Sequence, residues 1–320
     1  MVNGTGGRRR PLGNVLHRFA LLAAACALAA CAPAPEPEET PAPVPIVSQP
    51  VEEEPTPTPS SSEWPDETNT GVPDGVELTA WTGDCDISEP GTVIDAKRVD
   101  CDIRIRAADV RITNSEIHGS VILRDLESGY SFTIADSEIH VGERLRTGLG
   151  NGYFTAERVE ISGGGRSMYC ATDCTLERSW VHGQTGDPGG EAHLSGVRMG
   201  QNTTLRFNSI ICEGTRTPPG SGCSAALTGY GDFRPIQNNL IEGNYFHSGT
   251  ASFCAFGGSS SDKPFSDEAS DIRFIDNTFE RDDDGSCGLL GPIVAFDSDA
   301  PGNVWEGNRW SDGEPLPPRN

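Results

Sequence analysis

Nowhere in this sequence do apolar residues recur at i, i+3, i+4 and i+7 through an uninterrupted window of helical length. That absence excludes an amphipathic helix bundle as the main architecture. Positive charge is also scarce: 24 Lys and Arg stand against 47 Asp and Glu, a net charge of −23. No basic stripe is visible, which argues against nucleic acid as a partner. The same charge disfavours strongly anionic polysaccharides unless cations mediate, and leaves neutral glycans or Ca²⁺-bridged uronates open. The apolar stretch FALLAAACALAAC at 19–31 is too short to remain as a bilayer-spanning anchor.

What the sequence does contain is a repeat. ITNSEIHG at 112–119 returns as IADSEIHV at 134–141. With position zero set at Ser115, an apolar residue lies three before it and another two after. The frame recurs at Ser137, Val159, Ser179, Asn208, Asn244, Asn277 and Asn308, at spacings of 22, 22, 20, 29, 36, 33 and 31 residues. A catalytic motif has no need of such copies, whereas a unit that stacks on itself does.

Each copy is a short run of alternating apolar residues bounded by Gly, Asn, Asp or Ser, which reads as strand. A second short strand lies between most copies: SVILRD, RSMYCA, SGVRMG, SAALTG, SFCAFGG and PIVAFD. Two or three strands in about 22 residues describe one coil of a parallel β-helix, which cannot bury its apolar face alone. The expected fold is therefore all-β, a single-domain right-handed parallel β-helix of about nine coils over 71–320. Position zero is read as a tight bend. Asn tolerates left-handed backbone there, and stacked Asn and Ser side chains can bond up the column as a ladder.

The N-terminus indicates export. Arg8, Arg9, Arg10 and Arg18 precede the apolar stretch, the pattern of a signal segment over 1–30. Leu28-Ala29-Ala30-Cys31 resembles the bacterial lipoprotein box, which makes Cys31 the expected lipid site and the membrane face the expected location. Loss of 1–30 deletes four arginines and no acid, leaving about −27. Residues 31–70 hold a Pro-, Glu- and Ser/Thr-rich tract with too little apolar material to fold, read as an extended tether.

Of ten cysteines, Cys26 leaves with the signal and Cys31 carries lipid, so eight remain. An even number in an exported chain implies disulfides, whose connectivity sequence alone does not fix. Neighbouring pairs fit the coil: Cys85 with Cys101, Cys170 with Cys174, Cys212 with Cys223, and Cys254 with Cys287. Zinc at Cys170-x3-Cys174 is disfavoured because no partner pair with ligand spacing accompanies it.

Repeat spacing points to the site. The long intervals carry insertions at 183–195, 213–223, 229–237 and 257–270, entering and leaving one sheet, so they should wall a groove over it. Alternation puts Arg124, Tyr169, Arg198 and Thr228 on its floor. The loops add Asp187, Glu191, His193, Tyr230, Asp232, Arg234 and Lys263, with Asp297 at the end of the next strand. His118, His140, His182 and His247 form a separate outward column, read as a surface stack before a metal strip. RDDDGS at 281–286 lacks the spacing of a calcium loop and reads as an acidic turn.

The segments GVPDGVELTAWTGDCDI and GTVIDAKRVDCDIRI, with RSMYC, VHGQ, CAFGG and CGLLGP, resemble exported actinobacterial proteins of the right-handed parallel β-helix, pectin-lyase-like class, over 71–315. The resemblance implies a cleft over one sheet. It carries over no catalytic residue: the Asn-Thr-Asp, Asp-Asp and Arg-Ile-Lys elements of polygalacturonase-type hydrolases are absent. So is the Arg-x-Pro-x-x-Arg element of pectate lyases, of which DFRPIQ keeps only Arg-Pro.

Two functions are therefore expected to compete. The first is a monomeric, non-catalytic surface lipoprotein that binds a polysaccharide or cell-wall glycan. The second is a uronate lyase or epimerase, with Arg198 neutralising or abstracting, His193, Tyr230 or Lys263 as base or acid, and Asp187, Glu191 or Asp232 holding Ca²⁺. A hydrolase would instead oppose Asp232 and Asp297 across the groove.

Overall fold

The computed structural model describes residues 64–260 and 262–318. The signal segment 1–30, Cys31 and residues 32–63 of the tether lie outside them. The described chain is nearly all-β. Its one other regular element is a 3-10 turn, Ser266–Glu268. A 17-stranded sheet and a nine-stranded sheet account for the strands, and the strand pairings are parallel. This architecture fits an all-β parallel solenoid.

The repeat frame explains the register. Residues three before position zero pair in one column through Ile112, Ile134, Ala156 and Leu176. It continues through Leu205, Ile241, Phe274 and Trp305. Ile117, Ile139, Ile161, Val181, Ile210, Phe246 and Phe279 make the second inward column, all fully buried. Each such side chain contributes about 1.5–3 kcal/mol on burial. The second strands found in the sequence become Val121–Leu123, Arg166–Tyr169, His193–Arg198, Gly222–Thr228, Phe253–Phe256 and Gly291–Val294, neighbours in the nine-stranded sheet.

The ladder is continuous through the Asn repeats. The Asn208 backbone N–H and Nδ2 both donate to Asn244 Oδ1, at 3.0 and 2.9 Å. Asn244 repeats this toward Asn277, and Asn277 toward Asn308. Ser115, Ser137 and Ser179 each accept one backbone N–H from the preceding repeat. A second column, not anticipated, has Asn239 accepting from Thr203 N–H and Asn303 from Ile272 N–H.

One expectation needs correcting. The left-handed residue is not position zero but the one before it: Asn114, Asp136, Arg158, Arg178, Phe207, Gly243, Asp276 and Gly307 all have positive φ. Position zero points inward and is buried, which is why its polar atoms must be satisfied by the ladder. Left-handed backbone costs an ordinary L-residue roughly 1–2 kcal/mol. At Arg158 an ion pair to Asp136, at 2.6 Å, offsets part of that.

Four disulfides link Cys85 with Cys101, Cys170 with Cys174, Cys212 with Cys223 and Cys254 with Cys287. They are the neighbouring pairs, and the second removes Cys170 and Cys174 as zinc ligands. Residues 64–72 lie against the outside of the large sheet. The Trp64 ring sits 5.4 Å from Tyr245, Gly71 N–H donates to the Arg158 carbonyl, and Val72 N–H donates to Glu138 Oε1. No helix among the described residues is long and apolar enough to cross a membrane.

Candidate functional site

Parallel pairing within the nine-stranded sheet sets Tyr169 beside Arg198 and Arg198 beside Thr228. The inserted loop at 229–237 then returns over this row. Arg198 Nη2 meets Asp232 Oδ2 at 2.6 Å, and its guanidinium lies 5.7 Å from the Tyr169 ring and 5.5 Å from the Tyr230 ring. Lys263, from the 257–270 loop, sits 3.8 Å from Asp232 Oδ1 and 5.9 Å from the Tyr230 ring. Asp232 thus anchors two cations that the sequence separates by 65 positions.

Two recesses meet at this cluster. The larger, of about 650 Å3, is lined by Arg166, His193, Arg198, Tyr230, Asp232, Phe253, Phe256 and Lys263. The smaller, of about 400 Å3, holds Arg124, Tyr169, Phe233 and Arg234 and shares Arg198 and Tyr230 with the first. Phe233 stands 77% exposed on the rim, an open aromatic face of the kind that stacks on a ligand ring.

Burial and neighbouring charges set the protonation of these groups. Burial pushes the Tyr230 hydroxyl above its ordinary pKa, and a hydrogen bond with Ser224 and the charges of Arg198 and Lys263 only partly offset it. A base would need the opposite shift. A hydrogen bond with Asp262 holds Lys263 above its usual value, so it is a fixed cation. Burial, and then the charge of Arg198, lowers Arg166. Among the described residues nothing hydrogen-bonds its buried Nε, and its guanidinium lies 5.5 Å from the Tyr169 ring.

The remaining candidates distribute unevenly. His193 lines the larger recess from an exposed strand start, and Glu191 is exposed beside it. Thr228 is buried, donating its hydroxyl to the Val197 carbonyl, and offers a ligand little. Asp187, expected as a calcium ligand, is engaged within its own loop. Its carboxylate accepts backbone N–H groups from Gly189, Glu191 and Ala192 at 2.8–2.9 Å, so it closes its own loop. Asp297 accepts from Asp299 N–H and lines a different recess from Asp232. The 281–286 turn is closed by Asp282, which accepts from the N–H groups of Asp284 and Ser286.

Sequence reasoning missed Arg166, Phe253 and Phe256. Arg166 opens the RSMYCA strand and was legible as part of it. Its place on one recess with Lys263 was not, because that depends on how the 257–270 loop folds. No protein-family model matches this chain, and neither does any curated protein or solved structure.

Proposed function

We propose that this chain is a right-handed parallel β-helix of about nine coils, of the pectin-lyase-like class, exported and lipid-anchored at Cys31, whose groove binds an acidic polysaccharide without turning it over. One observation carries the reading. Arg166, Arg198 and Lys263 converge with Tyr230, Phe253 and Phe256 on one recess, where they outnumber its carboxylates, Asp232 and Asp262, in a chain whose net charge is −23. Such a charge disfavours anionic ligands in general, so a local knot of cations on aromatic faces selects a carboxylated sugar at this place. Arginine pairs with a sugar carboxylate through two parallel bonds, and the exposed Phe233 ring can stack on a neighbouring residue of the polymer.

The test is gel retardation by polygalacturonate and by a neutral glucan, at low and physiological salt. Retardation by the acidic polymer alone is expected, weakened at least tenfold, about 1.4 kcal/mol, by Arg198→Ala or Lys263→Ala. Retardation by the neutral glucan alone, or by neither polymer, sinks the proposal.

A second reading, a uronate lyase or epimerase, draws on Arg166. A guanidinium lowered by burial beside another cation is a cation of the recess displaced toward its neutral form. Elimination leaves an unsaturated sugar with new ultraviolet absorbance. Its appearance with polygalacturonate and Ca²⁺, and its loss in Arg166→Lys with binding retained, would establish turnover in place of simple binding.

A further inference from the structure

Away from the groove, the strands after the bend carry acids and histidines on their outer face. Glu116 pairs in register with Glu138 and Glu138 with Glu160, stacking three carboxylates on neighbouring strands. Directly opposed like charges destabilise a sheet. Two positions further along come His118, His140 and, past Ser162, His182. The donors group tightly. One ligand atom each of Glu116, Glu138 and His140 lies within 4.8 Å of the others. His118 Nε2 is 2.7 Å from Glu116 Oε1, and His140 Nε2 is 3.0 Å from Glu138 Oε2.

The surroundings hold each donor in a specific way. Arg98 takes Glu116 Oε2 at 2.8 Å, leaving Oε1 toward His118. Val72 N–H takes Glu138 Oε1 at 3.2 Å, leaving Oε2 toward His140. Ser162 Oγ meets His140 Nδ1 at 2.8 Å, leaving Nε2 toward the carboxylates. Each of the three thus has one polar atom engaged outside the cluster and one turned into it. Partners of this kind fix the orientation and tautomer of metal ligands. Side-chain exposures of 15% for Glu116, 26% for Glu138, 30% for His140 and 43% for His118 leave the site reachable from solvent.

We propose that Glu116, His118, Glu138 and His140 form a binding site for a borderline divalent metal ion of the Zn²⁺ type. Two imidazoles and two carboxylates suit that class, whereas Ca²⁺ and Mg²⁺ take oxygen donors in greater number. Ligand bonds of about 2.0–2.2 Å put tetrahedral donors roughly 3.3 Å apart. The two His–Glu separations, 2.7 and 3.0 Å, both lie somewhat below that spacing, so an ion would draw the donors slightly apart as it gathered the set. The ion would also relieve the opposed carboxylates. This site stands apart from the groove and does not depend on what the groove binds.

The experiment is titration of the metal-free full chain with ZnCl₂ by calorimetry, and with CoCl₂ by visible absorption. Expected are one equivalent bound and the intense bands of four-coordinate Co²⁺. His140→Gln and His118→Gln should each weaken binding at least tenfold, and Ser162→Ala roughly tenfold through loss of the oriented imidazole. His247→Gln and His193→Gln should leave it unchanged. Circular dichroism of every variant checks folding, and the Co²⁺ bands of the unaltered chain stand independently of any variant. The proposal is overturned by absence of a one-equivalent site, by six-coordinate Co²⁺ bands, by Ca²⁺ competing on equal terms, or by binding that survives both histidine substitutions.

Discussion

Asn244 shows what a single residue does in this molecule. Its Oδ1 receives two donors from Asn208, while its Nδ2 reaches the Leu205 carbonyl and Asn277 Oδ1. All of this is buried, so truncation removes partners from the repeats on both sides at once. Asn244→Ala should cost about 2–4 kcal/mol in urea unfolding, and Asn244→Ser less, because Ser137 and Ser179 accept the same backbone N–H elsewhere in the ladder. Equal losses for both substitutions would show that packing, not hydrogen bonding, is what Asn supplies. Asp187 makes a pH-dependent case. Backbone N–H groups, that of Ala192 foremost, hold its carboxyl below the ordinary carboxylate value of 3.8. A depressed folded pKa contributes stability above the unfolded value and loses it as pH falls through the folded one. The 183–195 loop should therefore stay protected from pepsin until the pH drops below the usual carboxylate range. Asp187→Asn should open it to the protease already at higher pH.

Strands and their staples set the next scale. Most strands after the bend have only two or three residues, such as Glu116–Ile117, Ser209–Ile210 and Tyr245–Phe246, too short to persist without neighbours on both sides. Where the repeats lengthen, disulfides tie the loops back. Cys254 and Cys287 are 33 residues apart and Cys170 and Cys174 only four. Closing the longer loop removes more freedom from the unfolded chain, so Cys254→Ala with Cys287→Ala should cost about 4 kcal/mol. Removing the short link should cost about 2. Chemical denaturation of the two double variants checks the order, and the reverse order would assign the stability to strain or local packing instead.

At the scale of the whole molecule, each repeat contacts chiefly the next, so stability is a sum along the axis. The longest strands, Phe132–His140 and Gly152–Ser162, lie in the interior of the large sheet, and two-residue strands, Thr79–Ala80 and Arg309–Trp310, belong to its ends. Amide hydrogen exchange should accordingly be slowest at 132–162 and fastest at both termini. Uniform protection along the chain would mean that the solenoid opens only as one unit.

The sequence by itself determined the parallel all-β arrangement, the two inward columns and the ladder, whereas the cysteine pairing, which it left open, was decided by the fold. Each follows from a pattern that recurs at short spacing: Ile112 predicts Ile134 because one repeat must sit on the next with its apolar face inward. It also determined that Tyr169, Arg198 and Thr228 stand in one row, since alternation recurs from copy to copy. Tertiary structure alone decided what the loops do. Insertions lack the repeat, so nothing local states that Asp232 would hold both Arg198 and Lys263, that the Arg166 Nε would be buried with no hydrogen bond among the described residues, or that Asp187 would close its own loop. Nor could spacing reveal that Val72 reaches Glu138. The Arg198 and Val72 contacts join residues 32 to 66 positions apart through backbone paths that no periodic rule constrains. A repeating sequence specifies its repeating part because every copy restates the same burial requirement. The site was written in the exceptions, where only the folded chain brings the charges together.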